Sequence, residues 1–193
     1  MTRSATKQEL KSTSYELFIA GVALLSIVNM VLIIVVREPQ LAGVLNAMNS
    51  LCSAILLGDF AYRLRTAPSR SQYFFRRFGW ADLLSCLPMA QLKVFRLFRL
   101  VRVFRLLRGL GTRRVLRTIV DNTAGSALLT LLFLALLVME FGSLSMLQLE
   151  QDAPGARITT ASDALWYMIV TMATVGYGDE YPVTSAGRLL GSL

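Results

Sequence analysis

Leu17 to Val36 runs for 20 residues without one ionisable side chain. That is the length a helix needs to cross a hydrocarbon core, about 20 residues. A cleaved secretory leader is the competing reading, but its apolar region is typically about 7–15 residues and ends in a small-residue cleavage site. This run is longer and ends in Val35-Val36-Arg37. Apolar residues make up 54% of the chain and charged ones only 17%, against about 25% charged in an ordinary soluble domain. Lipid is therefore the main solvent expected for the chain.

Further segments follow in order. Leu41–Leu57 is uncharged and extends past Asp59 to about Tyr62, and a basic loop with Arg63, Arg65, Arg70, Arg76 and Arg77 comes next. Phe78–Leu87 is a short apolar piece that carries Asp82 and stops at Pro88. Leu92–Leu110 is studded with cations. Thr112–Asn122 mixes Val115, Leu116, Ile119 and Val120 with Arg113, Arg114 and Arg117, the pattern of a helix lying on a membrane surface, with a continuation of the preceding helix as the alternative. Ala124 to about Leu149 is a fifth crossing interrupted by Glu140, and Ala161–Ala173 is too short to span and reads as a re-entrant helix. Thr184–Leu193 opens a sixth segment, with half or more of a span still to come.

Charge gives an orientation. With the N-terminus inside, the inner flanks hold Arg3, Lys7, Lys11, the five arginines after the second segment, and Arg113, Arg114 and Arg117. The outer flanks hold only Arg37, Arg157 and Arg188. That asymmetry obeys the positive-inside rule and predicts a multi-pass cell-membrane protein with a cytoplasmic N-terminus. It also makes nucleic acid a poor reason for the net charge of +8, because the cations are dispersed among spans. The chain has no His, and Cys52 and Cys86 lack metal-ligand spacing. Phosphate-cradling and nucleophile-elbow motifs are absent as well, so an enzyme is not expected.

Two motifs carry function. In the fourth segment Lys93, Arg96, Arg99, Arg102, Arg105 and Arg108 occupy every third place. On an α-helix each three-residue step turns about 300°, giving a steep spiral, and on a 3-10 helix the cations line up. Either way one cation can replace the next at a fixed site as the helix slides. Each bare cation would cost at least ~2.5 kcal/mol at mid-membrane, so the row must face water or acids, and Asp59 and Asp82 are available. A basic surface helix would instead mix three- and four-residue spacings on one polar face.

The second motif is Thr174-Val175-Gly176-Tyr177-Gly178, followed by Asp179. With it, the chain resembles the voltage-gated potassium channels over roughly residues 17–193. The resemblance implies an all-α membrane fold: a four-helix voltage-sensor bundle, then a pore module with a re-entrant helix and selectivity filter, ending in a truncated sixth helix. It divides the chain into a cytoplasmic stretch 1–16, a sensor-like domain 17–111, a linker helix 112–122 and an incomplete pore domain 123–193. It implies a homotetramer among membrane lipids that conducts K+ in response to voltage, with no cofactor beyond the permeant ion.

By the same resemblance, K+ is bound by the carbonyls of Thr174, Val175, Gly176 and Tyr177 and by the Thr174 hydroxyl. Gly176 and Gly178 supply the positive φ that aligns successive carbonyls. Lys93 to Arg108 are gating charges, Asp59 and Asp82 counter-charges, Leu56 a plug, and Asn49 sits where an outer acid is common. Trp166 and Tyr167 support the filter. The resemblance leads to an expected hydrogen bond from the Tyr167 hydroxyl to Asp179, with simple packing as the other account of Tyr167.

Three departures qualify it. The third segment is only ten residues, about 15 Å of helix, so the fourth is expected to start at mid-depth and to carry fewer charges across the field. Glu140, in mid-span, is expected to pair with a sensor arginine, to face water, or to sit protonated. The short sixth segment is not expected to make a gated pore by itself. Two alternatives remain: a ligand-gated potassium channel with a relic sensor, and a non-conducting regulatory subunit.

Overall fold

The computed structural model describes residues 2–66 and 124–192, with side chains from 14–65 and 127–192. The third and fourth segments, the arginine row, Asp82 and the linker 112–122 lie outside the described residues. Every regular element among the described residues is a helix: α1 Thr2–Val35, α2 Pro39–Thr66, α3 Ala124–Glu150, α4 Ala161–Met172 and α5 Ser185–Gly191. Three of them contain stretches long and apolar enough to cross a bilayer, Ser14–Val35, Pro39–Arg65 and Ala127–Glu150. The chain is an all-α, multi-pass membrane protein. α1 continues back through the polar residues before its apolar run, to Thr2.

α1 and α2 are separated only by Val36, Arg37 and Glu38. Pro39 opens α2, where its fixed φ fits the first helical turn and its missing N–H has no helical partner to lose. The chain divides into two compact units, Met1–Val28 with Asn49–Phe133, and Asn29–Met48 with Leu134–Leu193.

In the first unit Ile19, Val22 and Leu25 of α1 and Cys52, Leu56 and Phe60 of α2 are buried. Lipid is as apolar as these side chains, so burial alone does not drive helices together in it; close packing and hydrogen bonds do. Gly21 supplies close packing: a Cβ there would lie 2.9 Å from the Phe133 ring. Ser26 supplies a hydrogen bond, its hydroxyl donating to the amide oxygen of buried Asn49.

In the second unit Val44, Leu45 and Met48 are buried, as are Met146 and Leu147 of α3 and Ala164, Met168 and Val170 of α4. Gly43 lets α2 approach α4, since a Cβ there would stand 2.9 Å from the Cβ of Ala161. Gly142 gives its space to the end of the Met168 side chain. Ser143 bonds back to the Met139 carbonyl at 2.6 Å. Leu134, Val138 and Phe141 of α3 are exposed in this unit.

Candidate functional site

α4 is fixed at both ends. At its start Thr160 and Asp163 form a capping box: Thr160 Oγ1 accepts from Asp163 N at 3.3 Å, and Asp163 Oδ2 accepts from Thr160 N at 2.8 Å. Each bond satisfies a backbone donor with no helical partner. A further donor, Ala161 N, bonds to Gln40 Oε1 at 3.3 Å. Asp163 also accepts from Thr159 N at 3.1 Å. Burial pushes the Asp163 carboxyl up, but these hydrogen bonds outweigh it and leave the group below the usual carboxylate range.

At its end α4 passes directly into residues 173–179. Ala173 N bonds to Ile169 O at 2.9 Å, Thr174 N to Thr171 O at 2.9 Å and Val175 N to Val170 O at 3.0 Å. The chain therefore turns tightly off the helix terminus, where carbonyls concentrate negative potential. Gly176 and Gly178 have φ of 61° and 76°, as expected from their residue type. Thr174 also has positive φ, 58°, a conformation uncommon for a branched side chain. Val175 and Tyr177 are exposed on the single chain.

Trp166 and Asp179 come together. The indole Nε1–H donates to Asp179 Oδ2 at 2.8 Å. The Trp166 ring also stacks on Tyr177, with centroids 5.8 Å apart and an interplanar angle of 3°. The expected Tyr167–Asp179 bond is thereby corrected: the donor is Trp166, one place earlier. Successive residues on an α-helix point about 100° apart, so only one of the two aromatics faces the loop. The Tyr167 hydroxyl instead fills the space where a side chain at Gly191 would begin, which is the packing account of that residue.

Three acids lie around this loop. The indole hydrogen bond, followed by the Glu180 amide at 3.0 Å, holds the Asp179 carboxyl below its ordinary value. Glu180 is pushed up, first by burial and then by the negative charges of Asp163 and Asp179. Arg157 partly offsets this and lies over the Tyr181 ring, 5.9 Å from its centroid.

A contact that sequence reasoning passed over anchors the far side of the loop. Glu150, the last residue of α3, is fully buried. Its Oε2 accepts from Val183 N at 2.7 Å, and its Oε1 accepts from Thr184 N at 3.0 Å and Thr184 Oγ1 at 2.6 Å. Thr184 in turn is the N-cap of α5, accepting from Gly187 N at 2.9 Å. The available signal was an acid closing an apolar helix, matched by a Thr opening the next one.

In α2, Leu56 is fully buried and Asp59 nearly so, at 2% exposure, so solvation of a helix end does not account for this acid. Asp59 accepts from Tyr15 Oη at 2.7 Å and forms an ion pair with Arg63 Nε at 2.9 Å. The Arg63 partner is one helical turn away, at the favourable four-residue spacing. Asn49 is buried as well. Glu140 neither exposes itself nor pairs with a described arginine, and accepts from Asn29 Nδ2 at 3.2 Å.

A family description, ion transport protein, matches residues 12–193. The potassium voltage-gated channel protein Shal of Drosophila melanogaster is 28% identical over 162 residues, covering 76% of this chain and 28% of that protein. The A-type voltage-gated potassium channel KCND3 is likewise 28% identical over 162 residues in Rattus norvegicus and in Homo sapiens, covering 76% of this chain and 24% of each relative. The chain thus spans about a quarter of the length of these relatives. The family match points to ion transport rather than to an enzyme. The chain belongs to the ion transport protein family.

Proposed function

We propose that the chain is the sensor and pore portion of a potassium-selective, voltage-dependent channel subunit, four copies of which surround one conduction path. The observation that carries the reading is the loop 174–178 leaving the C-terminus of α4, with Gly176 and Gly178 at positive φ and Trp166 bound to Asp179. In this reading the carbonyls of Thr174, Val175, Gly176 and Tyr177 and the Thr174 hydroxyl replace the hydration shell of K+. The four α4 C-termini add negative potential below the loop. Potassium passes down its gradient and no covalent bond changes.

Gating follows from Lys93, Arg96, Arg99, Arg102, Arg105 and Arg108. A unit charge crossing the whole field gains about 2.3 kcal/mol per 100 mV. Several arginines moving past Asp59 and Asp82, with Leu56 as the plug, would bias the pore through residues 112–122. The N-terminus is cytoplasmic and the membrane is the cell membrane. The short third segment makes the voltage dependence weak or shifted.

The test is reconstitution of the complete protein in a planar bilayer under potassium and sodium gradients across a voltage series. The reversal potential is expected to follow potassium, and Arg102→Gln to flatten the voltage dependence. Sodium permeating as readily as potassium, or a monomeric assembly, would overturn the reading.

A further inference from the structure

Glu140 is the one ionisable residue between residues 127 and 149, and it lies within an apolar span. Its partner Asn29 sits toward the C-terminal end of α1, 111 positions earlier in sequence. Both side chains are fully buried. Asn29 Nδ2 donates to Glu140 Oε2 at 3.2 Å, while the other oxygen of each group, Glu140 Oε1 and Asn29 Oδ1, has no partner among the described residues.

These two leftover atoms are chemically informative. An ionised carboxylate has only acceptors, and an amide oxygen is also an acceptor. With Glu140 ionised, neither orphan can satisfy the other, and a charge remains in mid-span, where charges are costly. A neutral carboxyl has one O–H donor. Placed on Oε1, that single proton removes the charge and supplies the donor that Asn29 Oδ1 lacks.

We propose that Glu140 is a neutral carboxylic acid in the folded protein and makes a two-bond acid–amide pair with Asn29, clamping α1 to α3 within one subunit. The pair is planar on both sides, which suits two parallel hydrogen bonds. A second attachment reinforces the clamp: Gln40 accepts from Ala161 N and Gly43 packs against Ala161, so residues 29–48 are tied to both α3 and α4. The sensor-arginine and water-pocket accounts of Glu140 are replaced by an internal, uncharged one. The inference does not depend on which ion the protein passes.

Infrared spectra of the complete protein in lipid test it directly. A carboxylic-acid C=O band is expected in the wild type, lost in Glu140→Gln and moved in Asn29→Ala. Equilibrium unfolding gives the second readout. Glutamine reproduces both hydrogen bonds, so Glu140→Gln should unfold with a constant within about threefold of wild type. Glu140→Ala and Asn29→Ala should each raise that constant about tenfold, and the double variant little more than either alone. A missing acid band in the wild type overturns the proposal, and so does a Glu140→Gln variant that unfolds as readily as Glu140→Ala. Both readouts are independent of conduction, so failure here is distinguishable from failure of the channel reading.

Discussion

Glu150 offers the most quantitative test of how the end of α3 holds the start of α5. Its two oxygens receive three hydrogen bonds, from Val183 N, Thr184 N and Thr184 Oγ1. Glu150→Gln keeps the shape but leaves one oxygen. Its better orientation puts that oxygen at the Oε1 position, keeping both Thr184 bonds and turning an NH2 toward the Val183 N–H. One hydrogen bond to a charged acceptor is lost and two donors face each other, a cost of about 2 kcal/mol, or about 30-fold in the unfolding constant. Glu150→Ala strands all three donors and should cost about 4 kcal/mol. Thr184→Val loses its hydroxyl bond to Glu150 and the cap on Gly187 N, about 2 kcal/mol together. Because Glu150→Gln and Thr184→Val act on one network, their double variant should cost less than the sum. Equilibrium unfolding of the complete protein in detergent measures all four. A Glu150→Gln midpoint equal to that of wild type would refute the reasoning, since the ordering depends on both oxygens being used.

Gly187→Ala should destabilise by about 1–2 kcal/mol in the same assay, because its Cβ would meet Glu150 Oε1 and lie 2.9 Å from Pro182 Cβ, outweighing the better helix propensity of Ala. Trp166→Phe retains an aromatic ring against Tyr177 but removes the donor to Asp179, so the Asp179 carboxyl should titrate closer to its ordinary value, read by carbon NMR of labelled carboxyls. In the same spectra Glu180 should take a proton before Asp179 and Asp163 as pH falls. The folded state binds the Glu180 proton more tightly than the unfolded chain, so its stability contribution declines as pH rises from about 4.3, the unfolded value, through the higher folded one. Asp179 has the opposite sign: its contribution is full above about 3.9 and is lost as pH falls through the lower folded value.

Some features were legible in the sequence because they depend only on neighbouring residues. The apolar runs gave the three spans among the described residues, the shortness of Ala161–Ala173 marked it as unable to cross, and Gly176 and Gly178 marked positive φ. The Asp59–Arg63 pair and the Thr160–Asp163 box have recognisable four- and three-residue spacings, although neither was drawn from the sequence. What escaped depends on helix rotation. Whether Trp166 or Tyr167 meets Asp179 is decided by about 100° of azimuth, which no local pattern records. Asn29 carries no charge and so attracted no notice, and its pairing with Glu140 requires two helices to present matching faces. Glu150 follows the fifth apolar run directly, and its partners Val183 and Thr184 lie 33 and 34 positions further along the chain.

The long separation between partners bears on how the chain is made. Asn29 emerges from the ribosome 111 residues before Glu140, and Gln40 emerges 121 residues before Ala161. At about 5–20 residues per second, the amide waits roughly 5–20 s for its acid. During biogenesis the first two helices must therefore be inserted and retained with polar groups still exposed to lipid or to the translocation machinery. The closing of those contacts is a late event of synthesis, set by the arrival of α3 and α4 rather than by the hairpin that precedes them.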